Sequence, residues 1–135
     1  MGKRMYKAFA GSLPTDILVA ERGMRVSEYI SSVQDTDEIV FWLDGKIADE
    51  NDMVCTGMKV YKTNKSSNST TIMQTAVTGD VTGDGVVGSV DYFKVKKVLS
   101  SGQNFEGAFF KAADVNNDGL VKSIDYIKIK RMFLN

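Results

Sequence analysis

The chain has 135 residues, 43% of them apolar and 25% charged, and its 17 basic and 17 acidic residues give zero formal net charge. This length fits one domain or two small ones, and the balanced charge excludes a nucleic-acid binder that works by bulk positive charge. No apolar run approaches the roughly 18 residues of a membrane span, so we expect no membrane insertion. The composition is that of an ordinary globular protein.

Two residue types that carry much of enzyme and metal chemistry are scarce. Histidine is absent and Cys55 is the single cysteine, which removes the commonest general base and transition-metal ligand. An internal disulfide and a multi-cysteine zinc site are also excluded. A catalytic thiol would need a base beside it, so we interpret Cys55 as a buried structural residue.

Residues 1–76 predict a small β-rich module. Apolar alternation predicts strands at 6–10, 16–21, 38–43, 58–61 and 70–77, and Val26, Ile30 and Val33 at helical spacing predict a short helix. An Asp44-Gly45 turn ends the third strand. The order favours a small α+β sheet domain that is β-grasp-like, with an immunoglobulin-like sandwich as the alternative.

Aromatic residues of this module raise the alternative of a sugar-binding platform. They are Phe41, Trp42, Tyr6, Tyr29 and Tyr61. An alternating strand buries one of Phe41 and Trp42, which favours core packing. The acidic residues could supply a glycosidase pair, but about 76 residues seldom build a substrate cleft as well, so we expect that the chain is not an enzyme.

An internal repeat occupies the second half of the chain. Residues 80–99, DVTGDGVVGSVDYFKVKKVL, align without a gap to residues 114–133, DVNNDGLVKSIDYIKIKRMF, with 10 of 20 positions identical and an offset of 34 residues. Most other positions exchange similar residues. Duplication explains this better than chance.

Each repeat carries oxygen ligands at the spacing of an EF-hand calcium loop. Positions 1, 3, 5 and 12 are Asp80, Thr82, Asp84 and Asp91 in loop 1, and Asp114, Asn116, Asp118 and Asp125 in loop 2. A glycine at position 6 permits the sharp turn, and the position-7 carbonyls of Val86 and Leu120 would complete the protein ligands. The alternative is a pair of Asp/Gly-rich turns that bind nothing. We predict two Ca²⁺ ions.

The loops depart from the calmodulin pattern because position 12 is aspartate and no helix precedes loop 1. A helix is predicted after each loop, with apolar residues Val90, Phe93, Val98 and Leu99 in the first and Ile124, Ile127, Met132 and Phe133 in the second. Between them, Phe105, Phe109 and Ala112 predict a further helix with Asn104 as its N-cap.

The segments GDVTGDGVVGSVDYFKVKKVL and AADVNNDGLVKSIDYIKIKR resemble the duplicated segments of a type I dockerin. The resemblance covers 77–135 and implies an all-α dockerin with two calcium loop–helix segments. It further implies calcium-dependent docking to a cohesin domain of a scaffoldin, as in secreted polysaccharide-degrading proteins of anaerobic bacteria. Residues 1–76 are similar to the small accessory (X-like) module that often precedes dockerins, a resemblance that implies no activity.

The resemblance also implies which residues face the cohesin. These are Ser89, Val90, Lys94, Lys96 and Lys97 in one segment, joined by Phe93, and Ser123, Ile124, Lys128, Lys130 and Arg131 in the other, joined by Ile127. Antiparallel segments related by a pseudo-two-fold axis imply that a cohesin accepts either face. The alternative is that the lysines are solvated helix charges and that Val90 and Ile124 belong to the core.

Residues 77–135 contain eight basic and seven acidic residues, and six of the seven acids are loop aspartates. Two calcium ions would therefore raise the net charge of this module from +1 to +5, which favours an acidic partner face. A calmodulin-like sensor would need a methionine-rich groove, but only Met132 lies in this half. A calcium-stabilised structural or carbohydrate-associated domain without a cohesin partner remains the alternative.

The N-terminal residues are basic but lack the apolar core of a secretory signal. Together with the dockerin resemblance, this leads us to expect a C-terminal fragment of a larger secreted, extracellular protein. We expect a monomer when free, no nucleic-acid partner, and packing of 1–76 against 77–135, because no Pro- or Gly-rich linker separates them.

Overall fold

A computed structural model of the chain describes residues 16–32, 37–43 and 45–134. The predicted strand at 6–10, together with Val33 and Asp44, lies outside the described residues. The strands are β1 (Asp16–Ala20), β2 (Asp37–Leu43), β3 (Lys46–Ile47), β4 (Lys59–Asn64) and β5 (Thr70–Val77), and the helices are α1 (Val26–Ser32), α2 (Ser89–Ser100), α3 (Gly107–Ala113) and α4 (Ser123–Leu134).

The five described strands form one mixed sheet in the order β1-β5-β4-β2-β3. β1 runs parallel to β5, with Asp16 opposite Met73 and Ala20 opposite Val77. The β5–β4, β4–β2 and β2–β3 pairs are antiparallel. A mixed sheet with a helix confirms the α+β class of this part. The β-grasp-like assignment and its sandwich alternative, which would need two packed antiparallel sheets, stay predictions.

The first hydrophobic core lies between α1 and one face of the sheet. Val26 of α1, Phe41 of β2 and Val60 of β4 are at most 2% exposed, and Tyr29 meets Phe41 edge to face at 5.6 Å between ring centroids. Cys55 is buried in the same cluster, which confirms its predicted placement.

The opposite sheet face carries Trp42 and Tyr61. Tyr6 lies outside the described residues. Trp42 is half-buried, and its ring contacts Tyr61 edge to face at 6.1 Å. Tyr61 is 0% exposed. A side chain without solvent exposure cannot stack on a sugar, so Tyr61 does not belong to a sugar-binding platform.

The second hydrophobic core belongs to the helical part. Val95 of α2 and Ile129 of α4 are both 0% exposed and occupy equivalent repeat positions. Val90 and Phe93, two of the apolar residues that predicted this helix, lie on its exposed face, at 64% and 62% exposure. An apolar residue at helical spacing fits either face of a short helix, and packing against α4 selects Val95.

The helix between the loops begins later than predicted. Its N-cap is Glu106, whose backbone is extended, and Phe105 precedes the helix instead of forming its first turn. The Asn104 Oδ1 atom accepts the N–H of the adjacent Phe105 at 2.9 Å. Asn104 therefore does not cap this helix, and the predicted N-cap lies two residues before the observed one.

The two parts of the chain contact each other, as the short connection predicts. The Gly79 N–H donates to the Ala112 carbonyl of α3 at 2.8 Å, and the Arg22 guanidinium donates to the Met132 carbonyl of α4 at 2.7 Å. The side of α3 that faces the sheet contacts β5 and β1.

Candidate metal centre and docking surface

Each repeat loop folds around the aspartate at its first position. Asp80 accepts backbone N–H groups from Asp84 at 3.2 Å and from Gly85 at 3.0 Å. Asp114 accepts the equivalent groups from Asp118 at 3.2 Å and from Gly119 at 2.9 Å. Asp80 and Asp114 are 0% and 4% exposed. A buried carboxylate that accepts several N–H groups holds its loop closed.

The aspartate at position 12 joins each loop to the following helix. Asp91 accepts the Thr82 N–H with one oxygen at 3.1 Å and the Gly88 N–H with the other at 2.9 Å. Asp125 accepts the Lys122 N–H in the equivalent way at 2.7 Å. Asp91 and Asp125 lie in the first turns of α2 and α4, where a carboxylate satisfies an unpaired N–H group.

The carboxylates converge on one point in each loop. One oxygen from each of Asp80, Asp84 and Asp91 lies within 4.8 Å of the others, and the same holds for Asp114, Asp118 and Asp125. Three like charges at this separation repel one another. A divalent cation removes that repulsion, and all-oxygen ligands suit Ca²⁺. Both loops therefore fit a calcium ion.

The two loops differ in their electrostatics. Burial raises the pKa of Asp80 above its ordinary value, a rise that the N–H groups of Thr56 and Gly85 oppose. Partial burial alone would raise the pKa of Asp84, but hydrogen bonds from the Val86 N–H and the Thr82 hydroxyl bring it below the ordinary value. In loop 2, the Leu120 N–H lowers the pKa of Asp118.

The remaining predicted ligands lie in the same loops. The Thr82 hydroxyl donates to Asp91 at 3.0 Å, so its oxygen is at the carboxylate cluster of loop 1. The Asn116 amide is within 3.3 Å of Asp118 in loop 2. The side chains of Val86 and Leu120 are exposed, which is compatible with ligation through their carbonyls, and that role stays a prediction.

The predicted cohesin-facing residues lie on the surface of α2 and α4. Nine of the ten are exposed and Lys128 is half-buried. Val90 is 64% and Ile124 39% exposed, so the alternative that they belong to the core is wrong. Phe93 and Ile127 are exposed as well.

An aromatic pair lies at the centre of this surface. Tyr92 and Tyr126, equivalent residues of the two repeats, meet edge to face at 5.5 Å between ring centroids. The Lys96 ammonium lies 5.4 Å from the Tyr92 centroid and 5.8 Å from that of Tyr126, and the Lys130 ammonium lies 5.7 Å from that of Tyr92. A pseudo-two-fold relation brings equivalent residues together in this way, and the antiparallel arrangement itself stays a prediction.

An open groove runs beside α2. It is lined by Val90, Phe93, Lys94, Lys97 and Val98, with Ser101 and Gln103 at its end. Four of these residues were predicted to face the cohesin, Phe93 among them. Its lining combines apolar side chains with two lysines, which suits a partner that is both apolar and acidic.

Several residues of the site were not predicted from the sequence. The tyrosine pair is visible as an Asp-Tyr dipeptide in both repeats, and that identity was a usable signal. The contact of Thr56 with Asp80 lies 24 residues upstream of the loop. The sequence carries only an indirect signal for this contact. Position 4 is Gly83 in loop 1 but Asn117 in loop 2, and a glycine at one of two equivalent positions indicates that another part of the chain approaches closely there.

These features define a duplicated loop–helix module of the calcium-binding EF-hand type. The family model of the dockerin type I domain matches residues 78–134, which is less than half of the chain. A domain of this type implies calcium binding and calcium-dependent docking to cohesin domains, as in cellulosomes. The accessory-module resemblance of 1–76 lies outside the match and stays a prediction.

Comparison with curated proteins and with solved structures gives no match. Among the described residues, no helix is long and apolar enough to cross a membrane.

Proposed function

We propose that this chain anchors a secreted polysaccharide-degrading protein to a cellulosome-like scaffold by binding a scaffoldin cohesin through α2 and α4. The observation that carries the proposal is that each of the two carboxylate clusters is followed by a helix with an exposed surface, and that the two helices are similar in sequence. Calcium at the loops would fix the first turn of each helix, since Asp91 and Asp125 belong to both a loop and a helix.

The contact residues support the same conclusion. Contiguous exposed apolar residues mark interaction sites, and Val90 and Phe93, both more than half exposed, line the same groove. Lysines border them along the groove. An apolar centre with a charged rim is the usual anatomy of a protein–protein interface.

We propose further that the chain is not itself an enzyme, that it is monomeric when free, and that it belongs to a larger extracellular protein. The clustered carboxylates of the helical part are engaged as loop ligands, which leaves them unsuited to acid–base catalysis. Residues 1–76 would act as an accessory module to the dockerin-type domain.

Calorimetry against a set of purified cohesins, with and without EDTA, tests the docking function. We expect tight binding to at least one cohesin that chelation abolishes. The alternative function, a calcium-stabilised domain without a cohesin partner, predicts calcium binding without cohesin binding and would replace the proposal if every cohesin failed.

Two double variants test whether the exposed residues of α2 and α4 contact the cohesin directly. Phe93→Ala with Ile127→Ala removes exposed side chains that do not support the core and should weaken cohesin binding. Ile17→Ala with Val19→Ala removes apolar side chains of β1 that are 44% and 51% exposed, and should leave cohesin binding unchanged.

A further inference from the structure

A turn of the β-rich part lies against calcium loop 1. The Thr56 N–H donates to Asp80 Oδ2 at 3.0 Å, across 24 residues of sequence, and both residues are at most 2% exposed. The equivalent carboxylate, Asp114, accepts N–H groups from Asp118 and Gly119 of its own loop. The two loops, alike in sequence, therefore differ in what surrounds them.

The turn is itself firmly held. The Thr56 hydroxyl accepts the Val77 N–H at 2.9 Å and donates to the Val77 carbonyl at 3.3 Å, and the Gly57 N–H donates to the Thr75 carbonyl at 2.9 Å. Thr75 and Val77 belong to β5. The sheet thus fixes the position from which Thr56 reaches loop 1.

Loop 1 has a glycine at the point where this turn approaches it. A Cβ atom on Gly83 would lie 2.8 Å from the Thr56 carbonyl oxygen, closer than real Cβ contacts allow. The equivalent residue of loop 2 is Asn117, whose φ of 59° shows that an EF-hand loop of this type tolerates a side chain there. Gly83 is therefore needed because Thr56 approaches it so closely, and not only because its φ is positive.

Phe109 of α3 completes the contact. Its ring lies 3.0 Å from a Cβ placed on Gly57 and 3.5 Å from one placed on Gly83. The turn, loop 1 and α3 thus meet at one ring, and neither glycine leaves room for a side chain.

We propose that the turn at Thr56 and Gly57 is a structural component of the first calcium site, so that calcium binding at loop 1 is coupled to the attachment of the β-rich part. Loop 2 binds its ion without that support. The inference rests on the proposed calcium binding but not on cohesin docking. By linkage, calcium at loop 1 must strengthen the contact as much as the contact strengthens calcium binding.

Calcium titration of the full chain, followed by NMR, tests the proposal. The Gly85 and Gly119 amides report loops 1 and 2 separately, because each donates to the first aspartate of its own loop. The test variant is Gly83→Asn, which introduces the residue that loop 2 accepts. The control is Gly102→Asn, at a similar φ of 76° with open space around it.

We expect Gly83→Asn to weaken calcium binding at loop 1 by about tenfold, within the usual range for coupled sites, and to leave loop 2 within about twofold. Gly102→Asn should change neither loop. Equal weakening of both loops by Gly83→Asn, or of neither, would overturn the coupling.

A milder pair decides the question if Gly83→Asn does not fold. Thr56→Val removes the hydroxyl that ties the turn to β5, and Thr63→Val removes a buried hydroxyl that bonds Thr70 at 2.9 Å within the sheet. Only Thr56→Val should weaken calcium at loop 1, and equal effects of the two variants would refute the proposal. If neither glycine amide of the unmodified chain responds to calcium, the proposed calcium function itself fails.

Discussion

Asp80 and Asp114 hold the same position in two repeats but have different neighbours. Burial raises the pKa of Asp80, whereas the Leu120 N–H lowers the pKa of Asp118 in the second loop. Calcium binds the ionised carboxylates, so protons compete with it. The pKa of Asp80 is therefore set by its burial as well as by its place in the repeat.

Acidification should release calcium from loop 1 at a higher pH than from loop 2. The reason is that burial raises the pKa of Asp80, so protons occupy this ligand of loop 1 from a higher pH. The pKa of the position-5 aspartate is lowered in both loops, at Asp84 and at Asp118, and does not separate them. Following the Gly85 and Gly119 amides by NMR at fixed calcium concentration measures the two release points. Release from both loops together, or from loop 2 first, would contradict the prediction.

The same shifts set the sign of the pH dependence of folding without calcium. The raised pKa of Asp80 stabilises the fold below the ordinary aspartate pKa of 3.8, and this contribution is lost as the pH rises through the raised value. The lowered pKa of Asp118 acts oppositely, with a contribution present above the ordinary value and lost as the pH falls through the lowered one.

At the scale of elements, α2 and α4 are related by the repeat and meet at the Tyr92–Tyr126 pair. Each helix begins directly after its loop and presents a serine and a β-branched residue at its start: Ser89 and Val90, Ser123 and Ile124. Equivalent exposed residues on two helices offer a partner two similar faces.

We predict that Ser89→Asp with Val90→Asp barely weakens cohesin binding, and that the same holds for Ser123→Asp with Ile124→Asp. Loss of one of two equal orientations costs RT ln 2, about 0.4 kcal/mol. All four substitutions together should abolish binding, as loss of interface anchors does. Titration calorimetry on the three variants measures this.

Folding should survive these substitutions, because acidic residues in the first turn of a helix interact favourably with its dipole. Circular dichroism provides that control. A large loss of binding from either pair alone would show a single orientation and would leave the similarity of the repeats explained by calcium ligation and folding.

At the scale of the whole molecule, the sheet and the helical part are each stabilised by a hydrophobic cluster of their own. One lies between α1 and the sheet, and the other among α2, α3 and α4. The helical part carries both carboxylate clusters, so its stability depends on the charge state of its loops. The sheet does not contain such a cluster within the described residues.

Chelation should destabilise the helical part more than the sheet. Each site filled at 100 times its Kd contributes about 2.7 kcal/mol, and removing the ions also restores carboxylate repulsion. Hydrogen exchange with and without EDTA should show protection lost at Val95 and Ile129 and largely kept at Phe41 and Val60. Identical exchange in both conditions would exclude calcium as a folding ligand.

Salt should slow cohesin association with the calcium-loaded chain. Two ions raise the calculated net charge of residues 77–135 from +1 to +5, and screening weakens attraction to an acidic partner face. Stopped-flow association rates at increasing ionic strength measure the effect. A rate independent of salt would show that the lysines do not steer docking.

The sequence by itself determined the calcium loops, because their chemistry is local. Every ligand lies within twelve residues, and the N–H groups that hold Asp80 and Asp114 within their loops come from four and five residues further on. Strand alternation likewise predicted β2, β4 and β5 to within a few residues.

Only the tertiary structure decided which faces are buried and which neighbours each loop has. Helical spacing placed Val90 in an apolar stripe but could not tell a core from a docking surface, since both are apolar. The contact of Thr56 with Asp80 joins residues that no periodic pattern relates. Such contacts depend on how the sheet and the helices pack, and this is why two loops of similar sequence become different sites.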